Sequence, residues 1–188
     1  MIHYLFKPSG CFPMHAYETF EQIDFSSLRR AGVKLLLIDL DNTLADYETF
    51  KPSEKQVRLL NNIVNQGFSI VIISNNVENR VSAYCEHLRQ PYIAGAKKPF
   101  LSGFRRAQQL YGTTLKPDEV CVIGDQLLTD VLGASRMGFK SVLVEPLKRK
   151  TERWYTRINR KIERHILKRM KRRNLQRFNE LGLSRRLP

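Results

Sequence analysis

Short aliphatic runs alternate with segments of helical periodicity through most of the chain. Val33 to Leu40, Ser69 to Ile73, Glu119 to Ile123 and Ser141 to Val144 are apolar blocks of strand length, each closed by polar or turn-forming residues. Such blocks read as strands buried on both faces. Pro91 to Ala94 predicts a shorter strand, third in chain order. Between the blocks, Val57, Leu59, Leu60, Ile63 and Val64 recur at helical spacing after Pro52 and stop at Gly67. Further helices are expected after Asn76 to about Arg89, from Pro99 to about Tyr111, and over 127–137 before Gly138. Residues 1–32 read as a lead-in, broken by Pro8, Gly10 and Pro13, with weak helical character from Ala16 to Arg30. Strands alternating with helices imply right-handed βαβ units. The expected fold is therefore α/β: a Rossmann-like, five-stranded parallel sheet with flanking helices.

The ends of these strands carry the chemistry. Leu35-Leu36-Leu37-Ile38 runs directly into Asp39-Leu40-Asp41-Asn42-Thr43. In an open α/β sheet, ligands bind beyond the carboxyl ends of the strands. Two carboxylates there repel one another unless a cation or a proton sits with them. Asp41-Asn42 alone reads equally well as a turn. Asp39 does not, because it follows Ile38 directly. The second strand ends in Ser74-Asn75-Asn76, and Lys97-Lys98-Pro99 precedes the helix that leads into the fourth. The fourth ends in Gly124-Asp125, with Asp130 five residues on. A parallel sheet brings all of these to one edge.

Asp-Leu-Asp-Asn-Thr, Ile-Ile-Ser-Asn-Asn, Lys-Lys-Pro and Gly-Asp-Gln-Leu-Leu-Thr-Asp, in that order within 33–145, resemble the four motifs of the haloacid-dehalogenase (HAD) superfamily. With so short a chain, the set is similar to the YqeG-type phosphatases of HAD subclass IIIA, a family related to the mitochondrial phosphatidylglycerophosphatases. The resemblance implies Mg²⁺-dependent hydrolysis of a phosphomonoester. It makes Asp39 the nucleophile that forms an aspartyl-phosphate. Asp41 becomes the acid that protonates the leaving alkoxide and then the base that activates water. Superfamily dehalogenases and P-type ATPases lack that second aspartate, so its presence favours phosphatase or phosphomutase chemistry. Asp39, the main-chain carbonyl of Asp41, and Asp125 are the implied Mg²⁺ ligands. Ser74 is expected to donate to a phosphoryl oxygen, against the plainer role of capping the next helix. Lys98, directly before Pro99, matches the lysine that neutralises the phosphoryl group, and Lys97 is the alternative. Asp130 orients Lys98 or the metal's waters, or is an ordinary polar residue of a helix's first turn. Asn42, Asn75 and Asn76 read as loop-shaping residues, with substrate contact as the alternative. His3, His15, His87 and His165 are scattered and take no role.

Spacing bears on the substrate. Ten residues separate Asp41 from Pro52, and 23 separate Ser74 from Lys98. Neither interval holds a cap domain, so a capless site is expected, open to a lipid head group, a phosphoprotein or a nucleic-acid end. A lid lent by an oligomer partner is the competing explanation.

Charge adds a second region. Of the net +14, residues 148–188 hold +13, with 16 of the 32 Lys and Arg against Glu152, Glu163 and Glu180. The chain thus divides into a phosphatase domain, 1–147, and a basic helical tail, 148–188. On a helical wheel Trp154, Ile158, Ile162, Ile166 and Met170 share an arc of about 160° with Tyr155. Arg153, Arg157, Arg160, Lys161, Arg164, Lys168 and Lys171 gather opposite. A basic amphipathic helix over 151–173 suits an anionic membrane surface, and phosphatidylglycerophosphate, the substrate the resemblance suggests, is itself anionic. Two other readings stand beside this one. The stripe packs on the domain or a second copy, or the tail binds nucleic acid or the ribosome, on a scaffold of weak turnover. Cys11, Cys85 and Cys121 match no zinc or disulfide spacing, no apolar run approaches the ~20 residues of a membrane span, and Met1 to Gly10 lacks a secretory pattern. A cytoplasmic protein is expected, in contact with the inner membrane face at most peripherally.

Overall fold

The structure, a computed structural model, describes residues 12–112, 115–148 and 154–187, the side chains of residues 154, 155 and 157 excepted. Six strands, β1 (His15–Tyr17), β2 (Leu35–Ile38), β3 (Ser69–Ile73), β4 (Tyr92–Ile93), β5 (Val120–Gly124) and β6 (Lys140–Val144), form one parallel sheet in the order β1-β6-β5-β2-β3-β4. The helices are α1 (Phe25–Arg30), α2 (Glu54–Asn65), α3 (Glu78–Cys85), α4 (Leu101–Gln109), α5 (Leu132–Met137), α6 (Trp154–Arg173) and α7 (Leu175–Glu180).

The fold is the α/β class expected, with six strands in place of five. The added strand, β1, lies in the lead-in, where weak helix was expected from Ala16. Three residues carry no readable period, and β1 exists through its pairing with β6, from His15 opposite Val142 to Tyr17 opposite Val144. After a 3-10 turn at Phe20–Gln22, α-helix starts at α1, where the Asp24 carboxylate accepts the Ser27 amide at 3.0 Å. At α2, Ser53 and Gln56 cap one another: the Gln56 amide donates to Ser53 Oγ at 3.2 Å and the Ser53 amide to Gln56 Oε1 at 2.8 Å.

Side chains of the central strands alternate between two apolar layers. Leu36, Ile38, Ile70, Ile72, Cys121 and Ile123 pack on one face. Leu35, Leu37, Val71, Ile73, Val120 and Val122 pack on the other. Burial on both faces explains the unbroken apolar runs. From β2 the chain moves outward to β3 and β4, then returns across β2 to β5 and β6. The order reverses between β2 and β5, and the crevice at their carboxyl ends is where such sheets bind ligands.

The basic C-terminal segment lies against this domain, and the apolar stripe of α6 divides along its length. Ile166 and Met170, with Leu167, join Leu127, Leu128, Val131, Leu132 and Leu143 in a third apolar cluster, closed by Phe178, Leu181 and Leu183. Ile158 and Ile162 remain 47% and 42% exposed. For the second half of the stripe, packing on the domain replaces a membrane-facing surface. The Trp154, Tyr155 and Arg157 side chains, and Cys11 and Arg153, lie outside the described residues. Among the described residues no helix is long and apolar enough to cross a membrane.

Candidate active site

Asp39 continues the line of β2. Its amide donates to the Ile123 carbonyl at 2.8 Å, which fixes it against the end of β5. The chain then turns sharply through Asn42, whose φ of 67° is one that asparagine tolerates better than most residues. The turn returns Thr43 to Asp39, and Thr43 Oγ1 donates to Asp39 Oδ2 at 3.1 Å. The other oxygen, Oδ1, accepts from Lys98 Nζ at 2.6 Å.

Lys98 joins two acids. Its ammonium also donates to Asp130 Oδ1 at 2.6 Å and to the Ile73 carbonyl at 3.1 Å, and all three side chains are buried. Burial pulls the Lys98 pKa down, but Asp130 and Asp39 outweigh it and hold the value above that of a free lysine. Lys97, the sequence alternative, is exposed. The loop is clipped by Asn75, whose Nδ2 donates to the Lys98 carbonyl at 3.0 Å and whose Oδ1 accepts the Lys98 amide at 2.6 Å. Asp130 comes from a π-helical turn, Leu127–Val131, a local widening often found at functional sites. Its Oδ2 accepts from the Gln126 amide and Thr129 Oγ1, each at 3.1 Å. Gly124 makes room for it, since a Cβ there would lie 2.3 Å from Asp130 Cγ.

The Asp41 side chain belongs to a different group. Its Oδ2 accepts from Ser74 Oγ at 3.0 Å and Asn76 Nδ2 at 3.2 Å, and Arg80 Nη2 lies 3.3 Å from Oδ1. The Ser74 hydroxyl, expected to face a phosphoryl oxygen, is directed at Asp41, and its oxygen accepts the Asn76 amide at 3.0 Å. Arg80 is itself buried. It donates to the Asp46 carbonyl at 2.9 Å, with its Cζ 5.2 Å from the Phe50 ring and 5.7 Å from the Tyr84 ring.

Asp125 follows β5 and is fully buried. Its Oδ2 pairs with Arg160 of α6. Its Oδ1, also buried, has no hydrogen-bond partner among the described residues. Oxygens of Asp39, Asp125 and Asp130 all lie within 4.8 Å of one another. Burial pushes Asp125 up to about 6, against the pull of Arg160. Burial also raises Asp39 well above the usual carboxylate range, with Lys98 opposing and Asp130, Asp125 and Asp41 adding to the rise. Three crowded buried acids with an unsatisfied oxygen fit a hard divalent cation. Of the expected ligands, Asp39 and Asp125 come together by their carboxylates. Asp130 is the third carboxylate of the cluster, while that of Asp41 sits with Ser74, Asn76 and Arg80.

A cavity of about 410 Å³ opens above these groups. Asp39, Asp41, Ser74 and Lys98 line its floor, and Phe100, Leu128, Leu132 and Ile162 supply apolar wall. Only short segments occupy the two positions where a cap domain enters, yet α6 contributes Thr156, Asn159 and Ile162 to the lining. Sequence reasoning missed Thr43, Arg80 and Arg160. Thr43 stands four residues after Asp39 within the first motif, a proximity that flags it in hindsight. The two arginines carry no local signal, being ordinary charged residues of helices until packing turns them inward.

Residues 1–148 match the family described as mitochondrial PGP phosphatase. The chain is 39% identical over 145 residues to the "Probable phosphatase YqeG" of Bacillus subtilis (strain 168), covering 77% of this chain and 83% of that one. It is 27% identical over 168 residues to the "Phosphatidylglycerophosphate phosphatase 1, chloroplastic/mitochondrial" of Arabidopsis thaliana, covering 82% of this chain and 46% of that protein. A shorter match, 34% over 59 residues, covers 31% of this chain and 24% of the "Glyceraldehyde 3-phosphate phosphatase" of Pyrococcus furiosus. With the four motif segments gathered at one sheet edge and the match running through all of them, the chain belongs to the mitochondrial PGP phosphatase family and is a phosphomonoester hydrolase of the HAD type.

Proposed function

We propose that this enzyme hydrolyses phosphatidylglycerophosphate by a Mg²⁺-dependent, two-step displacement through Asp39. The observation that carries the reading is the buried group of Asp39, Lys98 and Asp130 with an Asp125 oxygen unpartnered among the described residues, beneath a cavity with apolar walls. Asp39, Asp125 and the main-chain carbonyl of Asp41 would hold the ion. Bound there, Mg²⁺ would supply the positive charge that lets a phosphate dianion approach a carboxylate. An Asp39 oxygen attacks phosphorus, and the bond from phosphorus to the alkoxide breaks as the new one forms. Asp41 gives its proton to the departing alkoxide. It then takes a proton from the water that attacks the aspartyl-phosphate, which frees inorganic phosphate and restores Asp39. Lys98 offsets charge on the phosphoryl oxygens, and Asp130 orients Lys98. Arg80, Ser74 and Asn76 hold Asp41 in place for both proton transfers.

The lipid assignment draws on three features. Phe100, Leu128, Leu132 and Ile162 give the cavity an apolar side, and Phe100 is 64% exposed. Lys161, Arg164, Lys168 and Lys171 of α6 are exposed, a basic face suited to peripheral contact with an anionic bilayer. A relative carries the lipid activity in its name. The test is turnover of vesicle-embedded phosphatidylglycerophosphate, a phosphorylated RNA end and a phosphopeptide, each with Mg²⁺ and with EDTA. Fast, EDTA-sensitive turnover of the lipid alone is expected. Preferred turnover of the RNA or the peptide overturns the lipid assignment, and full activity in EDTA overturns the metal mechanism.

A further inference from the structure

Asp125 is gripped from outside the segment that carries the four motifs. On α6, Arg160 directs Nη1 to the Asp125 main-chain carbonyl at 2.8 Å and Nη2 to the carboxylate Oδ2. The guanidinium is held in turn, because Nη1 also lies 3.1 Å from Glu163 Oε2. Glu163 is buried, and its Oε1 accepts the Leu128 amide at 3.1 Å, at the start of the π-helical turn that bears Asp130. Arg186, near the end of the chain, adds a bond from Nη1 to the same Asp125 carbonyl at 3.0 Å, and its Nη2 donates to the Val144 carbonyl at the end of β6. One oxygen of Asp125 is therefore pinned by α6. The other is buried and unpartnered among the described residues, and a carboxylate oxygen of Asp125 lies within 4.8 Å of one from Asp39 and one from Asp130.

A carboxylate fixed at one oxygen presents the other in a set direction. Partners of this kind behind a metal ligand commonly change metal affinity 10- to 100-fold. We propose that Arg160 is a positioning residue for the divalent-cation site: it orients Asp125, so the C-terminal helix is a working part of the metal centre. The inference rests on the reading of Asp125 as a metal ligand. Its rival has the opposite sign, because a guanidinium that competes with the cation for Asp125 weakens metal binding when present.

The experiment is Mg²⁺ titration of the metal-free, full-length protein by calorimetry, for wild type, Arg160→Gln, Arg160→Lys and Asp125→Asn. Wild type binds Mg²⁺, and Asp125→Asn loses most of that affinity. Arg160→Gln binds about tenfold or more weakly, and Arg160→Lys recovers part of the difference. Hydrogen exchange on the wild-type protein supplies a second readout that needs no variant to fold. By linkage, Mg²⁺ slows exchange of the amides around Arg160 and Glu163. Unchanged or tighter binding by Arg160→Gln overturns the proposal, as does an α6 indifferent to Mg²⁺. A wild type that binds no Mg²⁺, or an Asp125→Asn variant that binds as wild type does, instead removes the metal reading on which it stands.

Discussion

The floor of the cavity and the wall that α6 lends it are held by different means. At the floor, Lys98 ties Asp39 to Asp130 while Ser74 holds Asp41, and Asp39, Asp41 and Ser74 sit at or just beyond strand ends. Their positions follow from the sheet. The wall is an amphipathic helix whose place depends on one apolar half, Ile166 to Met170, seated in the domain. Its other half brings Asn159 and Ile162 to the cavity and Arg160 to Asp125. The comparison separates two uses of charge. On the floor, a buried lysine is held between two acids. On the wall, Arg160 turns inward, joined by Arg186 from near the end of the chain, to hold backbone and one carboxylate, while Lys161, Arg164 and Lys168 stay in solvent.

Substitutions sharpen this contrast, and the floor gives the largest effects. Asp41→Asn should slow steady-state turnover by roughly 10²- to 10⁴-fold, more for alkyl than for aryl phosphates, since a poor leaving group needs the proton more. Equal slowing of both substrates, measured as kcat, would remove Asp41 as the acid. Arg80→Met strips a buried carboxylate of its partner and should cost on the order of 3 kcal/mol in denaturant unfolding. A variant as stable as wild type would mean that the Asp41–Arg80 pair contributes little. In the wall, Ile166→Ala should cost about 2 to 5 kcal/mol, because Ile166 is buried in the third cluster. Ile162→Ala, at a half-exposed position, should stay within about 0.5 kcal/mol while lowering turnover of the lipid more than that of a small soluble phosphomonoester. Equal stability losses at both positions would contradict the split stripe.

The smallest expected effect lies at the edge of the sheet, in β1. Burial holds the His15 pKa below its usual 6.5, Arg177 lowers it further and Asp24 opposes both. The unfolded chain therefore binds the His15 proton more readily than the native one. The native state loses stability as pH falls below about 6.5, and the loss is absent above it. Thermal unfolding of wild type and His15→Gln at pH 7 and pH 5.5 measures this, with the variant expected to show the flatter dependence.

The floor was legible in the sequence because its signals are local. Aliphatic runs end in Asp39, Ser74 and Gly124-Asp125, and parallel strands bring like ends to one edge. The register of Lys98 against Lys97 was not legible, since it depends on the loop that Asn75 clips. β1 was missed because three edge residues carry no period. The basic tail showed its amphipathic stripe, but a hydrophobic face does not name what it packs on. Only the docking of Ile166, Leu167 and Met170 reveals that part of the stripe is core, and that Arg160, read as one of a basic row suited to an anionic surface, reaches a buried aspartate.

The central claim is that Asp39 accepts the phosphoryl group. It is tested most directly by acid-quenching the Asp41→Asn protein during reaction with a generic aryl phosphomonoester and Mg²⁺, then locating the modification by peptide mass spectrometry. One phosphoryl group on Asp39 is the predicted result, absent in EDTA and absent when Asp39→Asn is added. Phosphorylation at another residue, or turnover that survives in the Asp39→Asn protein, would contradict it.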